Sequence, residues 1–260
     1  MTDSKFEVYQ VLLNPIVSSF KISSINLQLI FTPYDPELSY EKNERFLNMS
    51  RTSDLLLITV SDENYLYQVL EWYENHNIEV RATYPSVEIK LTSSGGVRIL
   101  GSSKNFDEKT LLNFLSSYGV KDALVNLSRD STLDDVEATL YGREFKKVLF
   151  LSYKEDLNFL KEFKKDSLSL KDFNREDLLD KILDKLDLIR VYTKGIGRDI
   201  SKKPLLVKRS MSILDVAKEI HEDLVRNFKF AKVWRKNVLY TLKVGANFKV
   251  QDGDVIEIHA

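Results

Sequence analysis

LIRVYTK (188–194), IHEDLVRNFKFAKVWRK (220–236) and GDVIEIHA (253–260) follow one another in the final 73 residues, and the reading of the whole chain turns on them. β-Branched and apolar residues fill LIRVYT and PLLVKR (204–209), as they do in strands, and a loop holding Gly195 and Gly197 separates the two. Apolar residues at helical spacing predict a helix over 212–228, with further strands after it. The positive charge is concentrated here as well. The segment holds 15 Lys and Arg against 8 Asp and Glu, a formal +7 in a chain whose total is −1, so residues 1–187 carry −8. A basic domain on an acidic body can seek phosphate backbones while the remainder limits indiscriminate adhesion.

Two strands, a crossing helix and a returning mixed sheet make a ubiquitin-like β-grasp arrangement. Working back toward the N-terminus, EVYQVLL (7–13), IVSSFKI (16–22) and NLQLIFT (26–32) read as strands punctuated by Asn-Pro and Ser-Ser-Ile-Asn. A helix is predicted over 40–50. SDLLLITVS (53–61) is a continuous apolar run, the pattern of a strand buried on both faces. A helix over 63–75 and the strand IEVRA (78–82) follow, giving strand, helix, strand with a parallel core. From Thr83 the character changes. VEIKLTSSGGVRIL alternates on both sides of Ser-Ser-Gly-Gly and predicts an antiparallel hairpin, followed by a helix over 107–118, a strand ALVNLS and a helix over 132–140. The α/β pattern resumes with KVLFLS (147–152) and helices over 155–164 and 174–186. The expected domains are therefore 1–82 and 147–187 as two parts of one α/β body, 83–146 as an inserted α+β subdomain, and 188–260 as the β-grasp domain.

A composition of 43% hydrophobic and 30% charged residues is that of a folded, soluble protein. The absence of Cys excludes disulfide and thiol chemistry and fits a cytoplasmic setting. No apolar run reaches the roughly 18 residues of a membrane span, and MTDSKFEVYQ has neither the basic nor the apolar part of a signal peptide, so no membrane partner is expected. His76, His221 and His259 are far apart and none has an HxxxH partner, so no metal site is expected. There is no GxSxG elbow. Neither a cofactor nor catalysis is expected.

The three C-terminal segments resemble the TGS domain that closes the developmentally regulated GTP-binding proteins, and the resemblance extends through most of the chain. SRTSDLLLITVSD (50–62) looks like the strand before the nucleotide-binding half of these GTPases. IEVRATYPSVEIKLTSSGGVRI (78–99) is similar to their linker into an inserted ribosomal-protein-like domain, and FNREDLLDKILDKLDLIRVYTKG (173–195) is similar to their last G-domain helix entering the TGS domain. The resemblance implies a G-domain-like sheet, but one without the machinery of hydrolysis. A P-loop, GxxxxGK[ST], needs glycines whose amides close around phosphates and a Lys that reaches the outer ones. This sequence has no glycine before Gly95, and none of its nine glycines precedes Lys.

The chain is expected to begin near the family's first switch, without the first strand, the phosphate loop and its helix. That strand lies in the middle of the family's sheet, so either its neighbours close up or another segment, for which EVYQVLL is the candidate, fills the slot. The acid and glycine of the DxPG motif fall at Phe31 and Tyr34, with only Pro33 kept, although metal-assisted phosphoryl transfer needs those groups. The guanine-reading NKxD motif corresponds to LSYKED, leaving Ser152, Tyr153 and Glu155 or Asp156 as an imperfect echo of a nucleotide site, for which a surface helix start with ordinary acidic residues is the favoured reading.

The candidate RNA-binding residues lie in the TGS-like domain. Lys194, Arg198, Lys202 and Lys203 occupy its first loop, with Lys208 and Arg209 just beyond, and Lys232, Arg235 and Lys236 flank Trp234. Such cations neutralise phosphates, and an aromatic ring can stack on an unpaired base. Alternation sends Val233 and Trp234 to opposite faces of a strand, which leaves open whether Trp234 packs in the core. In the insertion, Lys90 and Arg98 flank a Gly-rich tip. Tyr65, Tyr67, Trp72 and Tyr73 form an aromatic cluster on a helix, a pattern more often core than interface, but part of it must face outward and offers a protein contact as the second reading. The reading is a non-catalytic GTPase-like protein that binds RNA or the ribosome and works in translation. Its rivals are a guanine-nucleotide sensor without hydrolysis and a structural adaptor for a complete GTPase or translation factor.

Overall fold

The computed structural model describes residues 16–32, 40–81, 87–153, 160, 167–171 and 174–260. The chain divides into two compact units, one formed by Met1–Pro33 with Asp172–Ala260 and the other by Tyr34–Lys171. The architecture is mixed α/β.

The described chain opens with an antiparallel hairpin, β1 (Ile16–Ile22) and β2 (Ile25–Phe31), joined through Ser23 and Ser24. Both serines have positive φ, +45° and +67°, as a two-residue type I′ turn requires. Then α1 (Tyr40–Thr52), β3 (Leu56–Thr59), α2 (Glu63–Asn75) and β4 (Ile78–Arg81) lead into the second unit. Asp62 caps α2 by accepting from the Tyr65 N–H at 2.9 Å. On α2, Tyr73 is buried, Tyr65 and Trp72 pack at the edge of the core, and Tyr67 is exposed.

The insertion comprises β5 (Val87–Leu91), β6 (Val97–Gly101), α3 (Glu108–Ser117), β7 (Ala123–Leu127) and α4 (Leu133–Leu140). Here the predicted hairpin is wrong. The sheet order is β5-β7-β6, so β7 lies between the two strands, antiparallel to β5 and parallel to β6. Alternation on both sides of Ser-Ser-Gly-Gly gave each strand its buried face but not its neighbour. β7, which buries Ala123, Val125 and Leu127 against Leu111 and Leu115 of α3, takes the central place. Gly101, at φ +84°, ends β6 hard against β7, where a Cβ would lie 2.2 Å from the Leu127 carbonyl oxygen.

After the insertion, β8 (Glu144–Ser152) is central to a parallel sheet of order β3-β8-β4, with β9 (Ser167–Ser169) also parallel to β8. Val148, Leu149, Phe150 and Leu151 are all buried, so the strand covered on both faces is β8. β3, expected in that role, buries Leu56 and Ile58 but exposes Thr59, and it ends the sheet among the described strands. Among the described strands β1 and β2 pair with each other in a sheet of their own. EVYQVLL lies outside the described residues, as does the helix expected over 155–164.

The first unit is completed by α5 (Arg175–Lys185), β10 (Leu188–Thr193), β11 (Leu205–Lys208), α6 (Ile213–Ile220), α7 (Glu222–Arg226), β12 (Phe230–Trp234), β13 (Leu242–Val244) and β14 (Val255–His259). The sheet order is β11-β10-β14-β12-β13, with β10 parallel to β14 and the other pairs antiparallel. Ile213 and Val216 of α6 pack on Ile189, Val191, Ala231, Val233 and Ile256 of one sheet face. The helix expected over 212–228 is two helices. His221 is extended at φ −168°, and its Nδ1 accepts from the Asp223 N–H, ending α6 and capping α7. On the other side, Leu179 and Leu183 of α5 close on Ile22 and Ile25 of the hairpin, with Leu188 packed against them, and Ser23 donates to Glu176 at 2.6 Å.

Candidate nucleic-acid interface

Period-two alternation on β12 buries Ala231 and Val233 beneath α6 and sends Phe230, Lys232 and Trp234 to the opposite face. Register continues that face sideways. Phe230 stands opposite His259, Lys232 opposite Glu257 on one side and Lys243 on the other, and Trp234 opposite Val255. From β10, whose Tyr192 pairs with Val255, Lys194 extends over the Trp234 ring, 4.9 Å from its centroid. The Phe230 and His259 rings stack at 4.3 Å with 14° between their planes, and the Lys243 ammonium sits 4.2 Å from the Phe230 centroid. Glu257 is buried within the face, accepting from His259 at 2.8 Å and pairing with Lys232 at 3.5 Å. The His259 hydrogen bond is the first cause that holds its carboxyl below the usual glutamate range.

The ten candidate residues separate into three groups. Arg235 grips the fully buried Asp254 through Nε at 2.9 Å and a terminal nitrogen at 2.7 Å, and it lies over Phe248. Arg209 pairs with Asp184 and Asp187, and Lys208 donates to the Leu186 carbonyl. These three hold the fold together. Arg198, Lys202 and Lys203, on the exposed β10–β11 loop, and Lys236 after β12 form no ion pair among the described residues. Lys194, Lys232 and Trp234 belong to the sheet face. Lys243, whose position beside Phe230 only the β12–β13 register reveals, was missed from the sequence because a lone Lys between two apolar residues reads as an ordinary edge-strand charge.

The TGS domain model matches residues 189–260. An uncharacterized GTP-binding protein of Methanocaldococcus jannaschii is 30% identical over 232 residues, 82% of this chain and 59% of that protein. The developmentally-regulated GTP-binding protein 2 homolog of Dictyostelium discoideum is 26% identical over 89% of this chain and 69% of its own length. Ribosome-interacting GTPase 1 of Saccharomyces cerevisiae is 26% identical over 84% and 64% respectively. The chain carries a TGS domain and is homologous to the developmentally regulated GTP-binding proteins. It spans about 60% of the length of most of the curated relatives it matches.

The TGS domain thus coincides with the basic sheet and its loops. Of the residues expected at a vestigial nucleotide site, Ser152 and Tyr153 are described. Ser152 is buried at the end of β8, its carbonyl accepting from the Leu170 N–H at 2.7 Å, whereas Tyr153 beside it is 70% exposed. Glu155, Asp156 and Tyr34 lie outside the described residues, and Phe31 ends β2. The three histidines have local roles. His76 contacts the Trp72 carbonyl, His221 caps α7, and His259 holds Glu257. Among the described residues no cluster of metal-ligating side chains occurs, and no helix is long and apolar enough to cross a membrane.

Proposed function

We propose that this chain is a non-catalytic relative of the GTP-binding proteins that binds RNA, on or with the ribosome, through the basic face and loops of its TGS domain. The observation that carries the reading is the split among the cations. Arg198, Lys202, Lys203 and Lys236 form no ion pair among the described residues, and Lys194, Lys232 and Lys243 stand on a sheet face bearing aromatic rings, the combination that suits phosphates and bases. A homologue named for its interaction with the ribosome supports a role in translation, and hence in the cytoplasm. The acidic body serves as a protein-docking platform that also repels nucleic acid from the rest of the surface. Without a GK step in the sequence, and with Phe31 and Tyr34 where the family's acid and glycine belong, the chain itself does not transfer phosphoryl groups.

The test is fluorescence anisotropy of labelled RNA with the full chain at about 50 mM salt, where backbone contacts are strongest. Saturable binding is expected; none at low salt removes the reading. The names of the homologues favour guanine nucleotide as the second ligand class. Calorimetry with GTP, GDP and magnesium is expected to give no saturable heat, and a specific heat would favour a nucleotide sensor instead.

A further inference from the structure

We infer that the open face of the TGS sheet is a reading platform for an unpaired dinucleotide step, with bases on Phe230 and Trp234 and the phosphate between them on Lys232. This inference rests on the RNA-binding reading above and specifies its ligand as single-stranded. Phe230, Lys232 and Trp234 alternate along one face of β12, so the backbone positions of the two aromatics stand roughly 13 Å apart with Lys232 between them. A duplex hides the faces of its bases within the stack, and only an unstacked base can lie against a protein ring.

Charge complementarity selects the same ligand. Lys232 and Lys243 are directly opposed across β12 and β13, a like-charge pair that an anion between them would relieve. Glu257, the carboxylate set into the middle of this face, is buried and paired with Lys232, which leaves Lys194 and Lys243 as the charges the face presents. Lys194 and Lys243 now cover ring faces of Trp234 and Phe230. Base stacking on these half-buried rings outweighs a surface cation–π contact, and each displaced ammonium gains a phosphate. The rings are accordingly held in place, by His259 for Phe230 and by the strand for Trp234, while their covers can move.

The chain contains two tryptophans, Trp72 and Trp234, so the full-length Trp72→Phe variant reports on Trp234 alone. Titration with an eight-nucleotide oligouridine is expected to quench its emission, whereas a blunt RNA duplex of similar charge leaves it nearly unchanged. Trp234→Ala and Phe230→Ala are each expected to weaken oligouridine binding by about fivefold or more while changing duplex binding less than twofold. Retained duplex binding also reports that these variants fold. Equal affinity for both RNAs with unchanged emission sinks the platform and leaves RNA binding standing. Failure to bind either RNA sinks both. Quenching by poly-glutamate equal to that by oligouridine overturns the assignment to nucleic acid.

Discussion

Arg235 illustrates why residue type and position do not by themselves assign a role. In sequence it is one of three cations around Trp234, equivalent to Lys236 for any argument from charge. In the fold its guanidinium forks onto a carboxylate with no exposure to water, and Asp254 also accepts from the Gln251 N–H at 2.8 Å. Hydrogen bonding to Asp254, opposed by some burial, raises the guanidinium pKa further above its usual range. Arg235→Met should therefore cost about 3 kcal/mol of stability, the penalty of leaving a buried charge unpaired, while Lys236→Met leaves stability within about 0.5 kcal/mol. Urea denaturation of the two variants measures the difference. A fall in RNA binding by the Arg235 variant would then reflect lost structure, and the Lys236 variant is the one that tests phosphate contact. The sequence carried no sign of this division, because Asp254 and Arg235 are 19 residues apart and meet only through the pairing of β12 with β14. Trp234 was half legible. Alternation predicted that it and Val233 face opposite ways, but which of them entered the core depended on where α6 docks.

At the scale of elements, periodicity located nearly every strand and helix and failed where the question was one of partners. The alternation of VEIKL and VRIL is the same whether they pair with each other or each with β7, and the five residues between them permit both. The β1–β2 hairpin is the converse case. Its turn has the two positive φ angles usually supplied by Asn-Gly, yet serines occupy both positions. Ser23 is compensated by its hydrogen bonds to Glu176 on α5, whereas no hydrogen bond is described for the Ser24 side chain. Left-handed backbone costs a non-glycine residue about 1–2 kcal/mol, and a glycine loses up to about 1 kcal/mol more conformational entropy on folding. Ser24→Gly should thus stabilise the chain by about 0.5 kcal/mol, read as a higher denaturation midpoint at unchanged slope. Ser23→Gly, which also removes the contacts to Glu176, should give no such gain.

For the molecule as a whole, a total of −1 divided into +7 and −8 means that no net attraction draws the chain to nucleic acid; binding must come from a local surface. The number of cations on that surface fixes how steeply affinity falls with salt. Four side chains are uncommitted, and Lys194, Lys232 and Lys243 are held by contacts that a phosphate can replace. At about 0.7 counterions released per phosphate on a single strand, the logarithm of affinity should fall against the logarithm of salt with a slope of about −3 if only the first group engages, and about −5 if the sheet face joins it. Replacing Arg198, Lys202 and Lys203 together by Gln should make the slope shallower by about 2, because each removes one phosphate contact. These loop residues pair with nothing among the described residues, so the variant should keep the stability of the parent, and a thermal melt checks that it does. A parent slope shallower than about −2 would mean that the concentrated charge of the TGS domain is not what holds RNA. The acidic unit or the exposed Leu239 and Tyr240 beyond β12 would then be the surfaces to examine for a protein partner.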